Sequence, residues 1–350
     1  MVIVRAPVRI SFGGGGTDLA AYYAHFGGFV VSAAITRYCY VVACPSIDGG
    51  IRINSADYHT WETYPRGVIP PVDTDRPLPL PKAAIASFAD HGLRETGVEL
   101  FLASEVPPGT GLGSSSAMAV ALVQALAAYL GISMDSLDIA EMACWLEIEQ
   151  LGLPIGKQDQ YASACGGLNT IAFAVDGVHL EPLDLPADFI TALGSRLLLF
   201  STGQVHNSAN ILSQQQTDTM TNPKVLRTLH HIKALALEMQ SALLAGDLDR
   251  FGQLLDRGWQ EKRSLSKNVS TAAIDCWYNA ARRAGALGGK IVGAGRGGFL
   301  LLYCPPCHQE GVRVMMTRFG LREMPFGFDF TGVQVLEHAL EGKKDYVRRH

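Results

Sequence analysis

One stretch constrains this 350-residue chain more than any other: PPGTGLGSSSAMAVAL, from Pro107 to Leu122. Before it, residues 98 to 106 partly alternate apolar with polar side chains, as a strand does. After it, an Ala- and Leu-rich run continues to Leu130 at helical spacing. The local reading is strand, glycine turn, helix. Gly109, Gly111 and Gly113 let the backbone reach positive φ and come close to a ligand, with Pro108 and Leu112 in the same turn. Ser114, Ser115 and Ser116 then open the helix, where unpaired N–H groups and the helix dipole favour an anion such as phosphate. Two familiar phosphate loops do not fit. No Lys follows Gly113, as GxxxxGK[ST] requires, and the third glycine comes one residue early for GxGxxG.

A second glycine run lies near the N-terminus. Residues 2 to 12 alternate as a strand and end in Gly13 to Gly16, followed by Thr17, Asp18 and a helical run to His25. Bare amides at Gly14, Gly15 and Gly16 can crowd a ligand, and the Asp18 carboxylate suits sugar hydroxyls; a tight turn capped by Thr17 or Asp18 is the plainer reading. A third glycine turn, GGKIVGAGRGGFLLLY, runs from Gly288 to Tyr303, with Gly295 and Arg296 inside it. Between the second and third lies LGLPIGKQDQYASACGG, from Leu151 to Gly167. Pro154 and Gly156 end the helix read over 135 to 151, and Lys157 to Gln160 open a short one. Alone, Asp159 beside Lys157 reads as an ordinary surface pair.

Composition bounds the rest. Hydrophobic residues make up 48% and charged residues 18%, enough apolar surface for two domains or one large one, and a division near residue 190 is expected (1–190 and 191–350). Net charge is −4 without a basic block, so no nucleic-acid or membrane partner is implied. The basic end KKDYVRRH reads as a solvated tail. Seven cysteines lack paired CxxC spacing; Cys304 and Cys307 come nearest, but nothing completes a metal site, and all read as reduced thiols of a cytoplasmic protein. The N-terminus is a strand pattern rather than a leader, and no apolar run reaches membrane length. Further strands are read over 28–44, 51–55, 168–183 and 195–201. A proline-rich loop spans 65–81, and helical pattern covers 82–93 and 207–265, broken at Asn222-Pro223 and Gly246-Asp247. Tyr58, Trp61 and Tyr64, just before the proline-rich loop, could wall an adenine pocket or simply pack. His206 and His230-His231 lack ligand spacing and read as solvated or capping residues.

The Pro107 stretch closely resembles the second motif of the GHMP kinases. RAPVRISFGGGGTD resembles their first motif, the Gly288 stretch their third, and GKQDQYAS their catalytic segment. The resemblance covers nearly the whole chain, with the motifs in the family's order. It implies an α+β fold: an N-terminal ribosomal-protein-S5-like α/β domain with a left-handed βαβ unit, then a ferredoxin-like domain, with the site between them. It implies ATP and Mg2+, with the nucleotide on Pro108, Gly109, Gly111, Leu112, Gly113 and Ser114 to Ser116, and the metal on Ser115 and Glu147, or on Glu149 if the register slips. Asp159 becomes the base, with Arg9 or Lys157 as the cation that keeps it ionised. The acceptor falls to Gly14, Gly15, Gly16, Thr17, Asp18, Gly295 and Arg296.

Galactokinases carry Glu-His where this chain has Gly15-Gly16. The glycine-rich form matches the heptose-phosphate kinase and fucokinase-like branch, which implies transfer to the anomeric hydroxyl of a seven-carbon sugar phosphate, its distal phosphate met by Arg9, Lys157 or Arg296. Another sugar 1-kinase, or an inactive sugar-binding regulator, are the alternatives. A homodimer is left open.

Overall fold

A computed structural model describes residues 1–204, 208–266 and 268–338. His206 and the basic C-terminal run lie outside them. Among the described residues, twelve strands form two sheets. The first contains β1 (Val2–Gly13), β2 (Gly28–Cys44), β3 (Ile51–Ser55), β4 (Thr60–Tyr64), β5 (Val98–Ser104), β6 (Leu168–Ala174) and β7 (Gly177–Pro182). The second contains β8 (Leu197–Ser201), β9 (Gly288–Ile291), β10 (Phe299–Tyr303) and β11 (Arg322–Glu323), and β12 (Gln334–His338) returns to the first. The first sheet runs β12-β1-β2-β5-β3-β4, with β6 on the other half of β2 and β7 beyond it. Its one parallel pair is β3 with β5. The second sheet runs β11-β8-β10-β9 and is wholly antiparallel.

The long hairpin of β1 and β2 ties the molecule together. Val2, Val4 and Ala6 pack into the core under the first sheet, whereas Val8, Ile10 and Phe12 pack into a second core shared with β8 and β10. A register shift between Pro7 and Val8 marks the change. There β2 carries two residues, Thr36 and Arg37, without a partner in β1, while the inward side chains of β1 stay on even positions throughout. Arg9, just past that shift, is buried and faces the region between the two units.

The helix Ser114–Leu130 is apolar all round, with twelve of its seventeen residues buried, so it runs through the interior beneath the first sheet. It starts at Gly113, held at φ 75°, and no side chain caps its N-terminus. Its first N–H groups therefore stay available to a ligand. The helices of the second half fall at the expected breaks: Ser208–Thr221, Pro223–Leu244 and Leu248–Leu265. The Asn222 side chain accepts from the Lys224 amide with Pro223 in the first turn, and the Asp247 side chain accepts from the Arg250 amide.

Three differences from the sequence reading have local causes. The helix expected at 82–93 begins earlier, at Pro79, because prolines are tolerated in a first helical turn, and ends at Ser87. Thr60–Tyr64, too short to read from pattern, pairs with β3. The chain end re-enters the first sheet beside β1, from Val2↔His338 to Arg5↔Gln334. A division into 1–190 and 191–350 thus leaves β12 with the first unit's sheet.

Candidate active site

The three glycine turns meet. The Arg9 amide donates to the Leu112 carbonyl at 2.9 Å, and its Nη1 donates to the Gly111 carbonyl at 2.7 Å, which docks β1 on the second turn. A Cβ on Gly111 (φ 85°) would stand 2.3 Å from the Val292 carbonyl of the third turn. The absent side chain at Gly111 is therefore needed for turn-to-turn contact. Gly113 has a different neighbour: a Cβ there would reach within 3.0 Å of Asp159 Oδ2. Leu112 is fully buried in the shared core, so its side chain serves packing.

At the centre, Arg9 holds Asp159 with both prongs of its guanidinium: Nε donates to Oδ1 at 2.8 Å and Nη2 to Oδ2 at 2.6 Å. Bidentate charge-assisted bonds of this kind fix the geometry of the pair. Lys157 lies elsewhere. It starts the same helix, Gln158–Cys165, but stands two residues before Asp159, about half a turn round. Its Nζ sits over the Tyr23 ring, 5.8 Å from the centroid, in a separate recess beside Glu141 and Glu149.

Glu147 is completely buried. The helical segment Ser136–Cys144 widens into a single π turn, Trp145–Gln150, which turns Glu147 inward while Glu149 is exposed. Such π turns are frequent at functional sites. Ser115 Oγ donates to Glu147 Oε1 at 2.7 Å, and Gln160 Nε2 donates to Oε2 at 2.7 Å. Burial raises the Glu147 carboxyl above its ordinary range, against the hydrogen bonds from Ser115, Ser116 and Gln160. No salt bridge to Glu147 exists among the described residues. A buried carboxylate with only neutral partners, beside a serine hydroxyl, fits a hard divalent cation. Among the described residues no cluster of three acidic, His or Cys side chains encloses a metal. Ser115 and Glu147 are the residues that could hold a magnesium ion here.

Three cavities run in series along these groups. An apolar one is lined by Tyr58, residues 77–81, Leu102, Pro108, Met118 and Leu153. It shares Ser114 and Ser115 with a second, lined by Gly109, Gly111, Gly113, Ser116, Glu147 and Asp159. That cavity in turn shares Arg9, Asp159, Gly293 and Ala294 with a third, polar one, lined by Ser11, Gly15, Gly16, Asp18, Gly156, Gln158, Gln215, Lys262 and Lys290. Of the aromatic trio, only Tyr58 reaches the apolar cavity. Trp61 is 75% exposed, and Tyr64 packs on the core with its hydroxyl on Glu62.

The first motif divides in the same way. Gly15, Gly16 and Asp18 face the polar cavity. Asp18 accepts from the Gly16 amide at 2.8 Å and from Gln158 Nε2 at 2.9 Å, and burial raises its carboxyl above the usual range, with Asp159 adding to the rise. Thr17 is buried and bridges the Gly14 and Phe29 carbonyls at 2.8 and 3.1 Å, while a Cβ on Gly14 would stand 1.9 Å from the Phe29 carbonyl. These two hold the turn and do not line the cavity. In the third turn, Gly293 and Ala294 face the cavity. Gly295 packs against Val269, and Arg296, at φ 63°, is exposed with Nη1 on Asn268 Oδ1 at 3.1 Å. Sequence reasoning missed Gln158, Gln215, Lys262 and Lys290. Lys290 lies within the stretch read as the third glycine turn, and the other three lie outside the glycine turns. Gly156, read only as a helix end, lies against Asp18: a Cβ there would meet Oδ2 at 1.9 Å.

Family models for the GHMP kinases' N-terminal domain and C-terminal domain match residues 79–167 and 239–320. The chain is 30% identical over 304 residues to a D-glycero-alpha-D-manno-heptose 7-phosphate kinase of Campylobacter jejuni, covering 86% of this chain and 89% of that one. It is 28% identical over 331 residues to an L-fucokinase/L-fucose-1-P guanylyltransferase of Bacteroides fragilis, covering 85% of this chain and 34% of that longer protein. It superposes with TM-score 0.80 and 28% identity on a crystal structure titled as a D-glycero-D-manno-heptose 1-phosphate kinase from Bacteroides thetaiotaomicron, covering 96% of this chain and 99% of that one. Among the described residues no helix is long and apolar enough to cross a membrane. The chain belongs to the GHMP kinases, with their two-domain fold, and is an ATP-dependent kinase of that family.

Proposed function

We propose that this kinase transfers the γ-phosphoryl group of ATP to the anomeric hydroxyl of D-glycero-D-manno-heptose 7-phosphate, giving the 1,7-bisphosphate. One observation carries the reading: the phosphate cavity and the polar cavity share the Asp159–Arg9 pair, so a hydroxyl in one faces a phosphoryl group in the other across that carboxylate. The apolar cavity takes the adenine. The Gly109–Gly113 turn and the uncapped helix start at Ser114 hold the phosphates. Asp159 accepts the proton of the attacking hydroxyl at a carboxylate oxygen, and Arg9 orients that carboxylate. Ser115 and Glu147 would hold a magnesium ion, which would supply charge neutralisation at the phosphates. Gly15, Gly16 and Asp18 orient the sugar. Phosphoryl transfer asks mainly for positioning and charge stabilisation, so this inventory suffices.

The resemblance to the L-fucokinase domain favours a second reading, a kinase for the anomeric hydroxyl of a free sugar. The Arg9–Asp159 and Ser115–Glu147 contacts speak against an inactive regulator. The deciding measurement is kcat/KM for heptose 7-phosphate against heptose, mannose, galactose and fucose, with phosphorus NMR to locate the new ester. The heptose phosphate is expected to win by a large factor. A free hexose or fucose used better overturns the substrate and leaves the kinase standing.

A further inference from the structure

Two lysines stand in the polar cavity, Lys290 buried and Lys262 half-buried, with no carboxylate close enough to pair with them among the described residues. Lys262, from the helix Leu248–Leu265, hydrogen-bonds the Gly293 carbonyl through Nζ. Lys290, from β9, donates to the Ser11 carbonyl at 2.8 Å and, more weakly, to the Phe12 carbonyl at 3.3 Å. Neither makes a salt bridge: the acidic groups of the cavity are otherwise engaged, Asp159 by Arg9 and Asp18 by the Gly16 amide and Gln158. Three cations, Arg9, Lys262 and Lys290, thus face two carboxylates across the cavity, a formal excess of one positive charge.

Burying an ammonium group away from a counter-charge is costly, so an arrangement of two has to be offset by something. The cost is visible in both groups. Burial, then Arg9, lowers Lys262 to about 8, against the pull of Asp18 and Asp159, and Lys290 is pushed far below its usual value by burial and by Lys262. Other polar atoms of the same cavity also lack partners: Ser11 Oγ, Gln158 Oε1 and Gln215 Nε2 are buried and without a hydrogen-bond partner. Lys262 lines the polar cavity and not the neighbouring one that holds the second glycine turn, so its charge is offered to the acceptor side. The cations that sequence suggested for this duty are placed elsewhere, Lys157 over Tyr23 and Arg296 at the exposed side of its turn.

We propose that Lys262, backed by Lys290, is the specificity-determining residue that receives a phosphate group already carried by the acceptor, remote from the hydroxyl that Asp159 activates. The inference rests on the reading that the acceptor is a sugar phosphate and names the residue that enforces it. A phosphate dianion supplies the missing counter-charge and hydrogen-bond acceptors. A neutral sugar leaves the half-buried ammonium unpaired, and the site rejects it for that reason.

The test is a comparison of preference ratios, kcat/KM for a phosphorylated sugar over its unphosphorylated parent. It is run for heptose 7-phosphate and a small panel of hexose phosphates on the wild type, Lys262→Met and Lys262→Arg. Charge-assisted contacts are worth roughly tenfold to a hundredfold each. The ratio should fall by about that factor in Lys262→Met and be largely restored in Lys262→Arg. ATP affinity by calorimetric titration should stay within a few-fold, and a thermal melt reports the integrity of the Gly293 turn. An unchanged ratio in Lys262→Met overturns the inference while leaving the heptose phosphate reading intact. Weakened ATP binding in its place assigns Lys262 to the transferred phosphate and likewise overturns it. If the wild type prefers a different phosphorylated sugar and Lys262→Met abolishes that preference, the inference stands and the heptose reading falls. A wild type that prefers free sugars overturns both.

Discussion

The proposed nucleotide side and the proposed acceptor side of the cleft are built in opposite ways. The phosphate-binding side comes largely from one continuous run, Gly109 to Ser116, joined to a long buried helix, and reinforced by one outside carboxylate, Glu147. The acceptor side is assembled from segments scattered through the chain: Arg9 to Asp18, Gly156 to Asp159, Gln215, Lys262, and Lys290 to Ala294. The first is a backbone site, whose chemistry lies in amides and a helix start that any triphosphate can use. The second is a side-chain site, in which each charge is positioned by a different element. Nucleotide recognition can therefore be shared across a family by a short motif, while acceptor choice is free to change one segment at a time.

The pair at the junction should show the largest effect. Asp159→Asn keeps the shape and one oxygen for Arg9 but removes the charge and the proton acceptor. We expect kcat to fall by about 10²–10⁴-fold, the usual weight of a general base, with ATP affinity within a few-fold. Steady-state kinetics beside calorimetric titration separates the two. A variant with wild-type kcat would place Asp159 among structural ion pairs and remove the junction from the comparison.

How much of this was legible follows the same division. The second turn and its helix could be read because a strand, a glycine turn and an apolar helix are local patterns, each with its own signature in consecutive residues. Asp159 and Arg9 were legible only by resemblance, since an Asp and an Arg 150 positions apart carry no mark of their bidentate contact. Lys262 and Lys290 were illegible. A lysine on the helix Leu248–Leu265 looks like any solvated cation, and only the packing of that helix against the Gly293 turn brings Lys262 to the cavity, as the contact of β9 with the Ser11 carbonyl buries Lys290. Lys157 misled for a simple reason, because adjacency along a helix is not adjacency in space. The Gly111 signal was partly misread too. Its φ and its contact with Val292 show a glycine required by protein against protein, where the sequence suggested protein against ligand. The return of β12 beside β1 had no local signal, since β pairing over more than 300 positions leaves none.

A smaller effect tests whether the backbone site truly depends on its one imported carboxylate. Glu147→Gln keeps the shape and one acceptor oxygen, turns the other position into a donor that Gln160 can meet by flipping its amide, and removes an oxygen ligand's charge. The magnesium concentration for half-maximal activity should rise by roughly tenfold, and Glu149→Gln, on the exposed side of the same π turn, should leave it unchanged. Stability gives a second readout with a fixed sign. The Glu147 carboxyl is raised by burial, so it holds its proton more tightly folded than unfolded. Its contribution is fully present below the ordinary glutamate range and is lost as pH rises through the raised value. The amide does not lose it. Without nucleotide or metal, Glu147→Gln should therefore melt about 2 °C or more above the wild type at pH 7.5, the gap narrowing toward pH 4.5. A variant that melts lower at pH 7.5 would mean the carboxylate is stabilised by the fold itself.

The smallest effect concerns the far end of the nucleotide side, where the site stops being backbone and becomes a surface. Tyr58 stands at the rim of the apolar cavity formed with residues 77–81, Leu102 and Met118, and about 61% of it is exposed. Trp61, three residues on, belongs to β4 and points into solvent, 75% exposed. Stacking of a base on an aromatic ring is worth about 1–3 kcal/mol, and a rim position with one face in water belongs at the low end of that range. Tyr58→Ala should thus raise KM for ATP by about fivefold with little change in kcat, because the ring acts equally on the ground state and the transition state. Trp61→Ala should stay within about twofold, although tryptophan is the larger aromatic. Equal effects from the two would mean the rim closes around the nucleotide, bringing Trp61 in from the exposed position it holds here. No effect from either would assign adenine recognition to the cavity walls alone.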